Sequence, residues 1–153
     1  MEEKAGILVK LESDMKSFMR ERNQTALSVV RMLLAAIQNR AIEKKTASLD
    51  EEEVFRLIQK QIRQHKDSIE QFKKGNRADL ADQEEKELKI LEAYLPKQLD
   101  QDELRQIVDE AIRTTGATQQ SDVGKVMKAV MEQIKGRADG TQVIRLVGER
   151  IKK

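Results

Sequence analysis

The sequence predicts an all-α protein with an N-terminal helical domain of about four helices, followed by a small three-helix C-terminal domain. Apolar residues recur at steps of three and four along most of the chain, which is the helical period, and no segment alternates as a strand does. A single proline and seven glycines in 153 residues leave few interruptions. One tyrosine, three phenylalanines and no tryptophan are poor material for a β-sandwich or for a base-stacking surface.

The first two helices are predicted from two apolar faces. A helix from about Glu3 to about Arg20 is indicated by Ile7, Leu8, Leu11, Met15, Phe18 and Met19. Asn23 or Thr25 can cap the helix that follows. The breadth of its apolar face predicts a central, largely buried helix, and the face consists of Leu27, Val30, Leu34, Ile37 and Ala41.

The third and fourth helices are marked by a capping signal and a proline. Ser48 and Glu51 form a predicted capping box at the start of the third helix, and Gly75 supplies its end. Its apolar stripe comprises Val54, Leu57, Ile58, Ile62, His65, Ile69 and Phe72. The fourth helix, from about Ala78, carries Leu80, Leu88, Leu91 and Tyr94 and ends because Pro96 disfavours a helical Leu95. This break predicts two domains, 1–95 and 96–153.

Three shorter helices are predicted after the break. Asp100 and Glu103 form a second capping box, and Gly116 ends that helix. Ser121 or Asp122 can cap the next helix, which runs up to Gly136. The apolar positions of the three helices are Leu104, Ile107, Val108, Ala111 and Ile112, then Val123, Val126, Met127, Val130 and Met131, and last Val143, Ile144, Leu146 and Val147.

Composition narrows the class of protein. The 29 basic residues nearly cancel the 27 acidic ones, which favours solvated helix faces over a globally basic nucleic-acid binder. The absence of cysteine excludes disulfides and thiolate metal sites. No apolar run reaches the roughly 18 residues of a membrane span, and no signal peptide is evident at Met1, so a cytoplasmic location is expected.

The sequence indicates no catalytic residue, no metal site and no cofactor. The chain has no cysteine, so a nucleophilic cysteine–histidine pair cannot form. His65 is the single histidine, so a His-rich zinc site cannot form either. On the apolar stripe, His65 is expected to be a boundary or hydrogen-bonded core histidine. Carboxylate pairs such as Glu84-Glu85 are expected to be caps and surface pairs, and no glycine-rich phosphate loop occurs.

Positive charge is concentrated at the C-terminal end. From Gly124 onward, eight basic residues face three acidic ones, a net charge of about +5. This excess favours phosphate contact, although cations near helix C-termini also stabilise the helix dipole. The candidate contacts are Lys125, Lys128, Lys135, Arg137 and Arg145, together with Arg31, which either binds phosphate or lays its stem along the edge of the core.

A glycine-containing loop is predicted next to these cations. The predicted structural loop positions are Gly124, Gly136, Asp139 and Gly140. Residues 136–140 suffice for a tight turn. The alternative is that the loop amides and Arg137 bind a phosphate at the start of the last helix.

Several segments, in the same order over nearly the whole chain, resemble the GatB/YqeY family. They are ALSVVRML at 26–33, KDSIEQF at 66–72 with Gly75 and Arg77, YLP at 94–96, and VGKVM at 123–127 with GRADG at 136–140. The resemblance implies a free-standing YqeY-like protein, similar to the C-terminal tail of GatB, a subunit of the glutamine-dependent tRNA amidotransferase. In that enzyme the tail helps to hold the tRNA body.

The resemblance implies binding and not catalysis. The chain lacks the catalytic cradle of GatB and the amidase subunit, so a family label of carbon-nitrogen ligase with glutamine as amido-N-donor has no residues here to which it applies. We therefore expect a protein that binds tRNA, or a tRNA-handling complex, through its C-terminal domain. A protein–protein adaptor using the exposed part of the stripe from Val54 to Phe72 is the alternative, and an accessory subunit that becomes catalytic only in a complex is a third.

Overall fold

The computed structural model describes residues 6–151, and within this range the chain is helical with no strand. The all-α prediction is therefore confirmed. The helices are α1 (Gly6–Glu21), α2 (Gln24–Glu43), α3 (Glu51–Lys74), α4 (Ala78–Ala93), α5 (Gln101–Thr115), α6 (Val123–Ile134) and α7 (Gly140–Ile151), with a 3₁₀ turn at Gln120–Asp122. The predicted start of the first helix near Glu3 lies outside the described residues.

The contacts divide the chain between Leu95 and Pro96 into two compact units. In the first unit, α1 to α4 enclose one apolar core, and its fully buried members include Leu11, Val30, Leu33, Val54, Ile58 and Leu91. The predicted apolar face of α2 is buried at Leu27, Val30, Ile37 and Ala41, whereas Leu34 is only partly buried. Val29 and Leu33, which were not predicted on this face, are buried as well.

The start of α3 differs from the prediction. Asp50, not Ser48, is the N-cap: its carboxylate accepts a hydrogen bond of 2.9 Å from the amide of Glu53. Leu49 immediately before it is buried in the same core as Val54, the residue four positions after the cap. This pair of apolar residues on either side of the cap is the arrangement of a hydrophobic staple, which fixes where the chain enters the helix. Of the two predicted N-caps of α2, Asn23 and Thr25, the structure shows Asn23, whose side chain accepts from the amide of Ala26 at 3.2 Å.

The second unit has its own, aliphatic core. Its fully buried members are Val108, Val126, Val130, Ile134, Val143 and Val147. Asp100 caps α5 through the amide of Glu103, and Gly116 ends it with a φ of +69°, both as predicted. Ile144 is 52% exposed although it was predicted on the apolar face of α7; the buried face follows steps of four, Val143, Val147 and Ile151.

The N-cap predicted for α6 also differs from the one in the structure. The carboxylate of Asp122 accepts hydrogen bonds from the amides of Thr118 and Gln119, at 3.0 and 3.2 Å. It therefore ties together the turn that precedes α6 and does not cap α6 itself. The two amide bonds hold the pKa of Asp122 below its usual value, because they stabilise the charged carboxylate.

Candidate nucleic-acid interface

The cations of α6 lie opposite its buried face. Val126, Val130 and Ile134 are fully buried, whereas Lys125 and Lys128 are exposed one helical turn apart. Lys135 is exposed directly after the helix, and the exposed Glu132 is the one acidic residue of α6. We call Lys125, Lys128 and Lys135 the α6 lysines. None of the α6 lysines belongs to an ion pair within 4.0 Å among the described residues, although the charge of Lys125 acts on the carboxylate of Asp122 in the preceding turn.

Gly124, which was predicted to lie in a loop, is part of α6. Gly124 is the second residue of α6, so it is helical and not in a loop. A Cβ at this position would meet nothing within 4 Å. The backbone beside Lys125 is consequently open to solvent.

Arg137 has a different role from the predicted phosphate contact. Its guanidinium donates to the carbonyl oxygens of Gln133 and Ile134, at 2.7 and 3.2 Å, and its amide donates to Ile134 at 2.8 Å. These carbonyls carry the partial negative charge at the end of α6, which attracts the cation. The chain turns here through two residues with positive φ, Lys135 at +39° and Gly136 at +83°. Arg137 thus closes the C-terminal end of α6 and is partly buried.

The carboxylate of Asp139 lies at the start of α7, where a bound phosphate was the alternative prediction. Its carboxylate accepts from the amide of Thr141 at 3.0 Å, and its carbonyl accepts from Val143 at 3.1 Å. Asp139 therefore caps α7, and Gly140 is the first residue of that helix. A carboxylate at a helix N-terminus already supplies the negative charge that a phosphate would bring. The geometry favours the tight-turn interpretation of residues 136–140.

The remaining predicted cations belong to helices other than α6. Arg145 is exposed on α7. Arg150 forms an ion pair of 3.3 Å with Asp109 of α5, so part of the C-terminal charge is already neutralised. Arg31 is exposed on α2 of the first unit, as expected both for a phosphate contact and for a side chain whose stem lies along the edge of the core. The α6 lysines and Arg145 are what remains of the predicted contact set in the second unit.

Most of the stripe on α3 is buried. Val54, Ile58, Ile62, His65 and Ile69 are buried within the first unit, and Leu57 and Phe72 are partly buried. An adaptor surface on this stripe would be limited to the exposed parts of Leu57 and Phe72. The exposed large apolar side chains of the described residues are Val9, Met19, Met32, Ile42 and Ile144, which belong to other helices.

One cluster in the first unit was missed by sequence reasoning. His65 is 9% exposed, and its Nδ1 lies 2.9 Å from the carbonyl oxygen of Gln61, as expected for a hydrogen-bonded core histidine. Its Nε2 faces Glu84 and Glu87 of α4. Burial and the neighbouring Glu84 raise the pKa of Glu87, and His65 opposes that rise. The available signal was the three-residue spacing of Glu84 and Glu87, which places both on one face of a helix.

Comparison with known proteins identifies relatives along almost all of this chain. The family described as "Yqey-like protein" matches residues 8–151. "Altered inheritance of mitochondria protein 41, mitochondrial" of Pyrenophora tritici-repentis is 33% identical over 141 residues, which cover 90% of this chain and 76% of that protein. The protein of the same name from Vanderwaltozyma polyspora is 39% identical over 85 residues, 56% of this chain and 46% of the relative. That of Saccharomyces cerevisiae is 29% identical over 122 residues, covering 76% and 66%.

These names correct the expected location. The absence of an evident signal peptide led us to expect a cytoplasmic protein, but the three relatives are named as mitochondrial. Composition alone does not distinguish compartments that lack an oxidising environment. Among residues 6–151, no helix combines the length and the apolar character needed to cross a bilayer.

Proposed function

Since the chain belongs to the Yqey-like protein family, we propose that its second unit binds tRNA, or an assembly that handles tRNA, through the α6 lysines. The proposal is supported by the resemblance of this unit to the C-terminal tail of GatB and by the exposed positive charge of α6. It assigns no catalytic step to this chain, and the amidotransferase chemistry of GatB is not part of it.

The observation that carries the proposal is the separation of cations from apolar residues on α6. Lys125 and Lys128 are exposed on one side, and Val126, Val130 and Ile134 fill the core on the other. Exposed ammonium groups gain free energy on binding a polyanion because the polyanion releases its condensed counterions. Such contacts position a protein on RNA and carry no base sequence information.

Arg137 and Asp139 support this surface without belonging to it. Arg137 closes the end of α6 and Asp139 caps the start of α7, so their hydrogen bonds stabilise the turn between the two helices. A substitution of Arg137 would disturb the fold as well as the charge. Lys125 and Lys128 are therefore the better residues with which to test binding.

The test is a fluorescence-anisotropy titration of labelled bulk tRNA with the full chain at several salt concentrations. Each phosphate contact contributes about 0.7 to 0.9 to the slope of log K against log salt. We expect the variant with Lys125→Ala and Lys128→Ala to bind more weakly and to reduce that slope by about 1.5, because two contacts are lost.

The matched control carries Lys86→Ala and Lys89→Ala. These two lysines are also exposed and three positions apart, but they lie on α4 of the first unit. The control removes the same net charge from a helix of the other unit. If both double variants weaken tRNA binding equally, the effect arises from net charge alone and the proposed interface is refuted. An unchanged slope of log K against log salt in the variant with Lys125→Ala and Lys128→Ala would also refute it.

A further inference from the structure

The facing side chains of α3 and α4 bring three potential metal ligands together. His65 comes from α3, and Glu84 and Glu87 come from one face of α4. One ligand atom from each residue lies within 4.8 Å of the other two. Their side chains are 11%, 24% and 14% exposed, so all three atoms are largely withdrawn from solvent.

The histidine ring is oriented as in a metal ligand. The carbonyl oxygen of Gln61 can only accept a hydrogen bond, so the Nδ1 atom 2.9 Å away carries the proton. In the neutral ring, Nε2 then has a free lone pair directed towards the two carboxylates. Ligating histidines commonly fix their second nitrogen on a backbone carbonyl in this way, which sets the tautomer and the direction of the ligating atom.

The nitrogen–oxygen distances exceed those of direct charge-assisted hydrogen bonds and are compatible with ligands that share an ion. Nε2 lies 3.4 Å from Glu84 Oε2 and 3.7 Å from Glu87 Oε2. A charge-assisted N–H···O bond from a protonated ring would bring these atoms to about 2.7 to 2.9 Å. Ligands bound at about 2.0 to 2.2 Å around a tetrahedral ion are separated by about 3.3 to 3.6 Å. The observed separations lie close to that range.

We propose that His65 Nε2, Glu84 and Glu87 bind a divalent transition-metal ion of the Zn²⁺ class between α3 and α4. A 2+ ion neutralises two carboxylates that otherwise face each other in a largely buried position. The nitrogen ligand selects against Mg²⁺ and Ca²⁺, which prefer oxygen ligands. Three protein ligands leave a fourth position for water or an external ligand.

The single histidine provides a direct reporter for this site. Addition of ZnCl₂ to the full chain without a histidine tag should shift the ¹⁵Nε2 resonance of the one imidazole in a two-bond ¹H–¹⁵N spectrum and leave Nδ1 protonated. Isothermal titration calorimetry should show one ion bound per chain, and MgCl₂ should neither bind at this site nor shift the ring.

Substitutions separate the cluster from general surface binding. We expect Glu84→Gln and Glu87→Gln each to weaken Zn²⁺ binding by at least about 10-fold, since even the loss of an outer-shell partner has that effect. Glu92→Gln is the matched control, because Glu92 is an exposed glutamate on the same helix, outside the cluster. Far-UV circular dichroism confirms that each variant is folded.

Three outcomes would overturn the proposal. They are the absence of Zn²⁺ binding at 100-fold molar excess, binding that leaves the His65 resonances in place, and binding that Glu84→Gln and Glu87→Gln weaken no more than Glu92→Gln does. The second and third would show surface binding only. None of them bears on the tRNA interface, which lies in the other unit.

Discussion

Tyr94→Phe removes one hydrogen bond between α1 and the end of α4 and leaves the ring in place. The phenol of Tyr94 donates to Asp14 Oδ2 at 2.6 Å, and the residue is buried in the core of the first unit. A hydrogen bond to a charged acceptor contributes about 1.5 to 3 kcal/mol. Asp14 is only partly buried, so water can solvate its carboxylate after the phenol is lost. We therefore expect a loss of about 1 to 2 kcal/mol in the free energy of unfolding.

Urea unfolding at pH 7, followed by far-UV circular dichroism, measures this change. A cycle with Asp14→Asn and the double variant isolates the interaction between the two side chains from the separate effects of each substitution. A coupling below about 0.3 kcal/mol, which is within the error of additivity, would refute the assigned role of the hydrogen bond.

The same contact predicts an alkaline pH dependence. Burial, the hydrogen bond to Asp14 and the charge of Asp14 all raise the pKa of Tyr94 above its usual value of 10.0. The raised pKa in the folded state means that the contribution of Tyr94 to stability is complete below pH 10 and is lost as the pH rises further. Above pH 10 the wild type should lose about 1.4 kcal/mol more per pH unit than Tyr94→Phe. Because Tyr94 is the single tyrosine, tyrosinate absorbance reports this group alone, and titration at the usual pKa would contradict the argument.

Two further predictions concern a helix cap and the second core. Asp50→Ala should lower the free energy of unfolding of the first unit by about 1 kcal/mol because it removes the N-cap of α3. Ser48→Ala should change that free energy by less than about 0.5 kcal/mol. If urea unfolding shows the larger loss for Ser48→Ala, the cap is at Ser48. Ile134→Ala should lower the free energy of unfolding by about 2 to 5 kcal/mol because Ile134 is fully buried. Ile144→Ala, the same substitution at a 52% exposed site, should lower it by less than about 0.5 kcal/mol. Similar thermal midpoints for these two variants would refute the burial assigned to Ile134 on α6.

The helices were predictable because their signals are local. Asn23, Asp100 and Gly116 each act on backbone within a few residues, and the structure places all three as expected. The start of α3 was not decided locally, since both Ser48 and Asp50 have a glutamate three positions later. Burial of Leu49 in the core selects Asp50, and that contact depends on how the other helices pack.

The side-chain partners at both candidate sites depend on information that spacing does not contain. The sequence shows that Glu84 and Glu87 share a face of α4, but only the register of α3 against α4 turns that face towards His65. Similarly, charge counting predicted Arg137 as a phosphate contact. The left-handed backbone at Lys135 and Gly136 instead brings its guanidinium onto the carbonyls at the end of α6.

The division at Leu95 also separates the optical signals of the chain. Tyr94 and all three phenylalanines precede it, and residues 96–153 contain no aromatic side chain. Near-UV ellipticity therefore arises from the first unit alone, while far-UV ellipticity sums the helices of both. Two ordinary spectra recorded during one denaturation can thus resolve the two halves of the molecule without any introduced label, and a tryptophan at the exposed position of Ile144 would give the second half a signal of its own.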